Sequence, residues 1–505
     1  MSGSLGKIAK GAAIAFIGML AFTFFEFVTR VIIARYTTQS EYGAFSIGFA
    51  LLNIFVIISC LGLHGGTTRC IAYFRGKGEN EKVAGIVYSS LQLSVAAGLF
   101  FFLVVFFSSD FLNGIFNLEQ SIVLKLFAIA IPFLTVIEIL SYVFIGYDRI
   151  KEKVYFRDIL MYLLRVSGII LAFVLGFGFF GMMYAYLLPT VIVAVVFVWY
   201  TVRKISLYKP DDNAPVRKEL LRFSIPLLVT SLSTLIMLRT DTLMLGYFKT
   251  SEVVGLYNAA YPVAQLIPIF LFSMIIIYVP ISSQLYSRNR TEEMRRNYVV
   301  LTKWILAATL PFFFVIFLFP EAVLSAIFGS SYAHAGDVLR ILAAGGFVQA
   351  FLGPNSATLV VIGKTKLNMI DDVTGAIMNV SLNVLLIPAM GIIGAAIAST
   401  VSFSMVAVLK SVQIFSSHRL HPFRGNYLKP VMTSTVLISI IYLFVNPVNL
   451  IWMLILLFFL FIAVYGISLV ITRSLDNEDI LMFLEIEKMT GIDASSMKRI
   501  LKRFI

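Results

Sequence analysis

About fourteen stretches of roughly twenty predominantly apolar residues follow one another along this chain, and few folds can absorb them. They cover residues 11–35, 42–63, 83–107, 120–146, 158–177, 179–201, 223–246, 254–284, 298–320, 337–362, 369–388, 390–414, 428–446 and 449–472. Each is long enough, as a helix, to cross the hydrocarbon core of a bilayer. Composition closes the other routes. Hydrophobic residues make up 59% of the chain and charged residues 13%, against about 25% charged in a soluble domain. So little charge on 505 residues cannot clothe a water-facing surface. A soluble enzyme, a nucleic-acid-binding domain and a secreted disulfide scaffold are excluded, and Cys60 and Cys70 supply no framework. The expected fold is an all-α polytopic membrane protein of about fourteen transmembrane helices. Glu26 and Arg30 stand where a signal peptide would be cut, so the first run reads as a retained helix.

The net charge of +13 is unevenly placed. One set of alternate connections, with the two ends of the chain, holds thirty-three lysines and arginines, and the other set holds only Arg35 and Lys249. That asymmetry is the positive-inside pattern, and it predicts a multi-pass protein of the cytoplasmic membrane with both termini cytoplasmic. Residues 202–222 read as a cytoplasmic linker. The tail 473–505 places Ile480, Leu481 and Leu484, then Ile500, Leu501 and Phe504, at helical spacing beside Lys498, Arg499, Lys502 and Arg503. It is expected to lie as an amphipathic element on an anionic leaflet or to dock a partner.

The two halves echo each other. Ser40-Glu41-Tyr42-Gly43 recurs, with one residue inserted, in Ser251-Glu252-Val253-Val254-Gly255, and Val123-Leu124-Lys125-Leu126-Phe127-Ala128 recurs as Val338-Leu339-Arg340-Ile341-Leu342-Ala343. Ile145-Gly146 returns as Ile362-Gly363, and Gly178, Gly181 and Ala185 return as Gly391, Gly394 and Ala398. An even number of spans between copies makes a parallel repeat, with a pseudo-two-fold axis along the membrane normal. The predicted architecture is two pseudo-symmetric six-helix bundles around a central cavity, residues 1–201 and 223–415, followed by two C-terminal helices within 416–472. Such repeats are the trace of alternating access, so the chain is expected to transport something.

A charge inside a membrane is costly and usually faces a cavity or a partner. Glu26 and Arg30 share a helix face at i, i+4. Arg239 and Asp241 occupy the matching part of the seventh span. Lys125 and Arg340 are repeat-mates near helix ends. Paired cations beside a cleft suit an anionic substrate, so Arg30, Arg239, Lys125 and Arg340 are the candidate substrate-binding cations. For Arg30, Lys125, Arg340 and the further cation Arg165, anchoring at a helix end accounts for the charge equally well. Glu26 and Asp241 are candidates for charge pairing or ion coupling. Glu138, alone at mid-depth, either carries a proton or faces water and is a third candidate for coupling. Asn258, Gln265, Gln349, Asn355, Asn379 and Asn383 are membrane-embedded amides that either bond between helices or meet sugar hydroxyls.

No catalytic or metal-ligand constellation is present in the sequence. Gly363-Lys364-Thr365 ends like a phosphate loop, but Thr358 stands where its first glycine is needed. No cofactor is expected beyond a coupling H⁺ or Na⁺.

Phe223-Ser224-Ile225-Pro226, Asp241-Thr242-Leu243-Met244-Leu245-Gly246 and Val254-Gly255-Leu256-Tyr257-Asn258-Ala259 carry a wider likeness. With Arg69-Cys70-Ile71-Ala72-Tyr73-Phe74, Phe328-Gly329-Ser330-Ser331-Tyr332 and Pro388-Ala389-Met390-Gly391, the chain resembles the polysaccharide-transporter (Wzx-type) flippases of the multidrug/oligosaccharidyl-lipid/polysaccharide exporter superfamily. The resemblance implies a non-enzymatic flippase. It would carry polyprenyl-diphosphate-linked oligosaccharide from the inner to the outer leaflet, with Arg30, Arg239, Lys125 and Arg340 gripping phosphate or acidic sugar. The implied partners are that lipid-linked glycan, membrane lipids and a glycan polymerase or glycosyltransferases. A cation-coupled multidrug exporter would instead need an acidic cavity, a membrane glycan polymerase or ligase would need a substantial outer loop, and a scaffold would have no use for buried charge.

Overall fold

The computed structural model describes residues 2–118, 122–205, 216–423, 425–445, 451–472 and 474, and every regular element among them is helical. The first half carries α1 (Ser2–Tyr36), α2 (Gln39–Ser59), α3 (Leu63–Gly76), α4 (Asn80–Phe107), α5 (Ser109–Ile115), α6 (Ile122–Gly146), α7 (Ile150–Lys153), α8 (Met161–Val174) and α9 (Gly178–Lys204), with a π-helical segment at Val154–Leu160. There follow α10 (Val216–Phe248), α11 (Ser251–Ala264), α12 (Ile269–Ser287), α13 (Thr291–Leu318), α14 (Pro320–Phe328), α15 (Gly336–Leu352) and α16 (Asn355–Val361). The last four are α17 (Thr365–Met390), α18 (Ile392–His418), α19 (Gly425–Val445) and α20 (Ile451–Ile471).

Eleven helices among the described residues are long and apolar enough to span a bilayer, so the chain is a multi-pass membrane protein. The count of fourteen expected from the sequence is not reached, and each of the three differences has a local cause. Residues 158–177 split between the π-helical segment and the short α8. Residues 254–284 form a bent pair, Ser251–Ala264 and Ile269–Ile276, at 49° to each other. Pro268 accounts for the break: it lacks an N–H, and its ring would clash with the carbonyl four residues back, at Ala264, where α11 ends. In α19 the apolar stretch is only Leu428–Phe444.

The helices pack as two units, Met1–Ala259 with Asp372–Ala398, and Ala260–Asp371 with Ser399–Ile505. Of the expected linker 202–222, residues 206–215 lie outside the described residues, as does the tail 473–505 apart from Ser474.

Within the first unit the repeated motif has a structural reason. Thr38 caps α2 in a capping box: its hydroxyl accepts from Glu41 N at 3.2 Å, and Glu41 Oε2 accepts from Thr38 N at 2.8 Å. One turn on, a Cβ at Gly43 would collide with the Ser251 carbonyl, and one at Gly255 with the Gln39 carbonyl. The two glycines that match in the repeat therefore cross each other, backbone against backbone. A second close crossing sets α3 on α10, where Cβ atoms at Gly62 and Gly66 would run into Ser224. Leu63, Ile71, Leu220 and Leu245 are fully buried in this unit.

Candidate functional site

Two arginines of the first unit meet at one ring. Arg30 is 6% exposed and lies 3.1 Å from Glu26, one helical turn earlier on α1. Its guanidinium carbon sits 4.6 Å from the centroid of Phe49, on α2. The guanidinium carbon of Arg239, on α10, lies 4.8 Å from the same centroid. Two arginines from different copies of the repeat thus share one phenyl ring. Arg30 and Arg239 are brought together through an aromatic residue that nothing in the sequence singled out.

A third arginine joins through the next ring. Tyr186 on α9 lies 6.3 Å from Phe49 and 5.0 Å from Phe45, edge-on to both. Arg165 on α8 stacks on Tyr186 at 4.2 Å and on Tyr162 at 4.9 Å, and donates to Thr190 Oγ1 at 2.8 Å. At 1% exposure it does not reach a helix end, so its burial decides for interior packing against surface anchoring. Desolvated cation–π contacts of this kind contribute about 2 kcal/mol each. Glu26 is the acid paired to Arg30 within this aromatic cluster.

Asp241 stands on α10 two residues after Arg239, a spacing that aims the side chains at different helix faces. Its carboxylate, 1% exposed, accepts from the Tyr257 hydroxyl, from Asn383 Nδ2 at 2.7 Å and from Asn379 Nδ2 at 3.4 Å. Asn379 Oδ1 in turn accepts from Asn383 Nδ2 at 3.2 Å, and Asn383 Oδ1 has no hydrogen-bond partner although it is buried. Thr242 and Asn258 extend the network at 3.1 Å. One buried carboxylate is therefore set among amides and a phenol, with an unused acceptor beside it.

The other candidate residues are placed differently. Lys125 pairs with Asp110 at 3.3 Å on the surface, its side chain 34% exposed. Arg340 is equally exposed and bonds to Asp337 at 2.7 Å, Glu321 at 3.4 Å and the Phe317 carbonyl at 3.1 Å. Each of these repeat-mates has its own local acid. Glu138, expected to be isolated, is not: Arg157 Nε and Nη2 approach its Oε1 at 2.8 and 2.5 Å. Arg157 also meets Asp158 at 3.3 Å, and Lys153 closes the chain at 3.1 Å. Arg157 read as a loop cation from sequence. The π-helical segment Val154–Leu160 carries it, and this register change is invisible to a 3.6-residue period.

The amides divide as well. Asn258, Asn355, Asn379 and Asn383 bond within or between helices. Gln265 and Gln349 do not, and both line a small pocket in the second unit.

Comparison with known proteins places this architecture. The family described as polysaccharide biosynthesis protein matches residues 8–286, and the family MatE matches residues 226–385. A probable low-salt glycan biosynthesis flippase of Haloferax volcanii, Agl15, is 26% identical over 399 residues, 79% of each chain. Among solved structures, the lipid II flippase MurJ in an inward closed conformation aligns with a TM-score of 0.71 at 15% identity, over 93% of this chain and 100% of its own. An inward-facing multidrug resistance MATE family transporter of the MOP superfamily aligns at 0.68 and 16% identity, over 80% of this chain and 99% of its own. The fold is shared with these transporters.

Proposed function

Because the chain belongs to the polysaccharide biosynthesis protein family, we propose that it is a flippase carrying polyprenyl-diphosphate-linked oligosaccharide across the cytoplasmic membrane by alternating access. The observation that carries this reading is the pair Arg30 and Arg239 on the two sides of the repeat, held at one ring. Guanidinium groups match phosphate oxygens bidentately and stack on aromatic faces, so one ring at Phe49 can orient two such groups towards an anionic ligand. A diphosphate carries two or more negative charges, and the extra field of Arg165 favours it further. The printed name of the Haloferax relative agrees with a glycan as cargo.

On this reading the sugar-diphosphate head enters from the cytoplasmic side, where the basic loops lie, and both termini are cytoplasmic. The two repeat copies rock against each other, with the tail of the lipid left in the bilayer. Asp241 is the site of a coupling H⁺ or Na⁺. The buried carboxylate and the unused Asn383 Oδ1 beside it are hard oxygen ligands for a small cation, and a proton on the carboxylate would equally lessen its need for three donors.

Deleting the gene and profiling lipid-linked glycans by mass spectrometry tests the proposal. A polyprenyl-diphosphate oligosaccharide should accumulate while its surface product disappears, and wild-type protein should restore it. Single repeat units exposed outside would point to a polymerase instead. Unchanged glycan pools together with new drug sensitivity would support a multidrug exporter.

A further inference from the structure

Gln265 and Gln349 differ from every other amide considered above: among the described residues neither side chain has a hydrogen-bond partner. Both are half-buried, so each amide group is open to what enters the space beside it. They face one pocket in the second unit, with Tyr261, Ser399, Thr400 and Phe403 completing its lining. The pocket's open core is about 20 Å³, room for one water-sized group.

The pocket forms where the chain breaks. Gln265 is the first residue after α11, in the four-residue interruption that Pro268 imposes. Opposite, Gly345 and Gly346 on α15 let the backbones close in: a Cβ at Gly345 would sit 3.0 Å from Thr400 Oγ1, and one at Gly346 would sit 3.3 Å from Ile267. Thr400 spends its hydroxyl proton on the Ile341 carbonyl at 2.9 Å, so it presents only lone pairs to the pocket. The lining therefore offers two amides, each donor and acceptor, hydroxyl oxygens and two aromatic rings, with no group that is charged at neutral pH.

Such a surface has nothing for a phosphate and much for a neutral hydroxylated group. We infer that the Gln265–Gln349 pocket is a sugar-reading subsite, which takes one hydroxyl or hydroxymethyl group of the glycan while an aromatic ring packs on the sugar's apolar face. This rests on the flippase reading and adds to it the part of the protein that distinguishes one glycan from another. Interrupted helices commonly line substrate sites in transporters, and a site with dedicated hydrogen-bonding groups discriminates against a substrate that leaves them unpaired.

The experiment uses the full chain in lipid nanodiscs and two kinds of probe, a panel of methyl glycosides read by saturation-transfer NMR and farnesyl diphosphate read by calorimetry. At least one glycoside should bind. Gln265→Leu and Gln349→Leu should each weaken that glycoside by about tenfold, the loss of a hydrogen bond or more, and leave farnesyl diphosphate unchanged. Arg30→Ala with Arg239→Ala should do the reverse. The shorter amides Gln265→Asn and Gln349→Asn keep the polarity, guard against misfolding of the leucine variants, and should change which glycoside is preferred. Glycoside binding indifferent to all four glutamine variants overturns the subsite. So does diphosphate binding with no glycoside binding, which would leave the pocket to water alone. If neither probe binds, the flippase reading falls with it.

Discussion

The charged cluster at Phe49 and the neutral pocket at Gln265 are built from opposite materials. The first joins three arginines through aromatic rings and one acid. The second has two unbonded amides, hydroxyls and a helix break. The difference teaches which kinds of ligand chemistry each could recognise. Charge held out of water acts over many ångströms and cannot distinguish sugars, whereas a neutral hydrogen-bonding pocket is blind until contact and then selective.

The largest effect expected from breaking this contrast is at the arginines. Arg30→Ala or Arg239→Ala should each weaken diphosphate binding by tenfold to roughly a hundredfold, the range for a charge-assisted hydrogen bond, and reduce surface glycan at unchanged protein level. Undiminished export would remove that arginine from the site. Next comes Asp241→Asn, which should make flipping in proteoliposomes insensitive to an imposed H⁺ or Na⁺ gradient while farnesyl diphosphate still binds. A variant that keeps its gradient response takes coupling away from this residue. Phe49→Leu retains volume but removes the ring under two guanidinium groups, at about 0.5–2 kcal/mol for each contact. It should lower the thermal midpoint and weaken the diphosphate by several fold, and an unaltered affinity would make the ring a packing element only. The smallest effect belongs to Lys125→Gln. Its exposed pair with Asp110 contributes about 0–1 kcal/mol, so stability and export should stay near wild type. A severe export defect would extend the charged region to the surface and blur the contrast.

How much of this was legible follows the same physics. Spans and the Arg30–Arg239 correspondence could be read because apolar length and buried charge are the two signals a bilayer imposes on sequence. Phe49 could not, being one of 46 phenylalanines in a chain where aromatic residues are common. Arg157 was assigned to a loop because basic residues near a span end usually lie there, and only the π-helical register turns it towards Glu138. Pro268 stands at a break, yet Pro132 and Pro189 lie inside continuous helices, so proline alone does not foretell a break. Gln265 and Gln349 looked like the four asparagines until their bonds were compared.

The crossing of Gly43 and Gly255 has a consequence for ancestry. Each glycine meets the carbonyl four residues before its counterpart, Ser251 for one and Gln39 for the other. That reciprocity is the mark of a homodimer contact lying on a rotation axis, where one surface patch must complement itself. Here the two patches belong to a single polypeptide. The pairing is what duplication and fusion of a half-length, self-associating chain leaves behind: the two copies diverge elsewhere, while the shared contact holds the backbone of both to glycine.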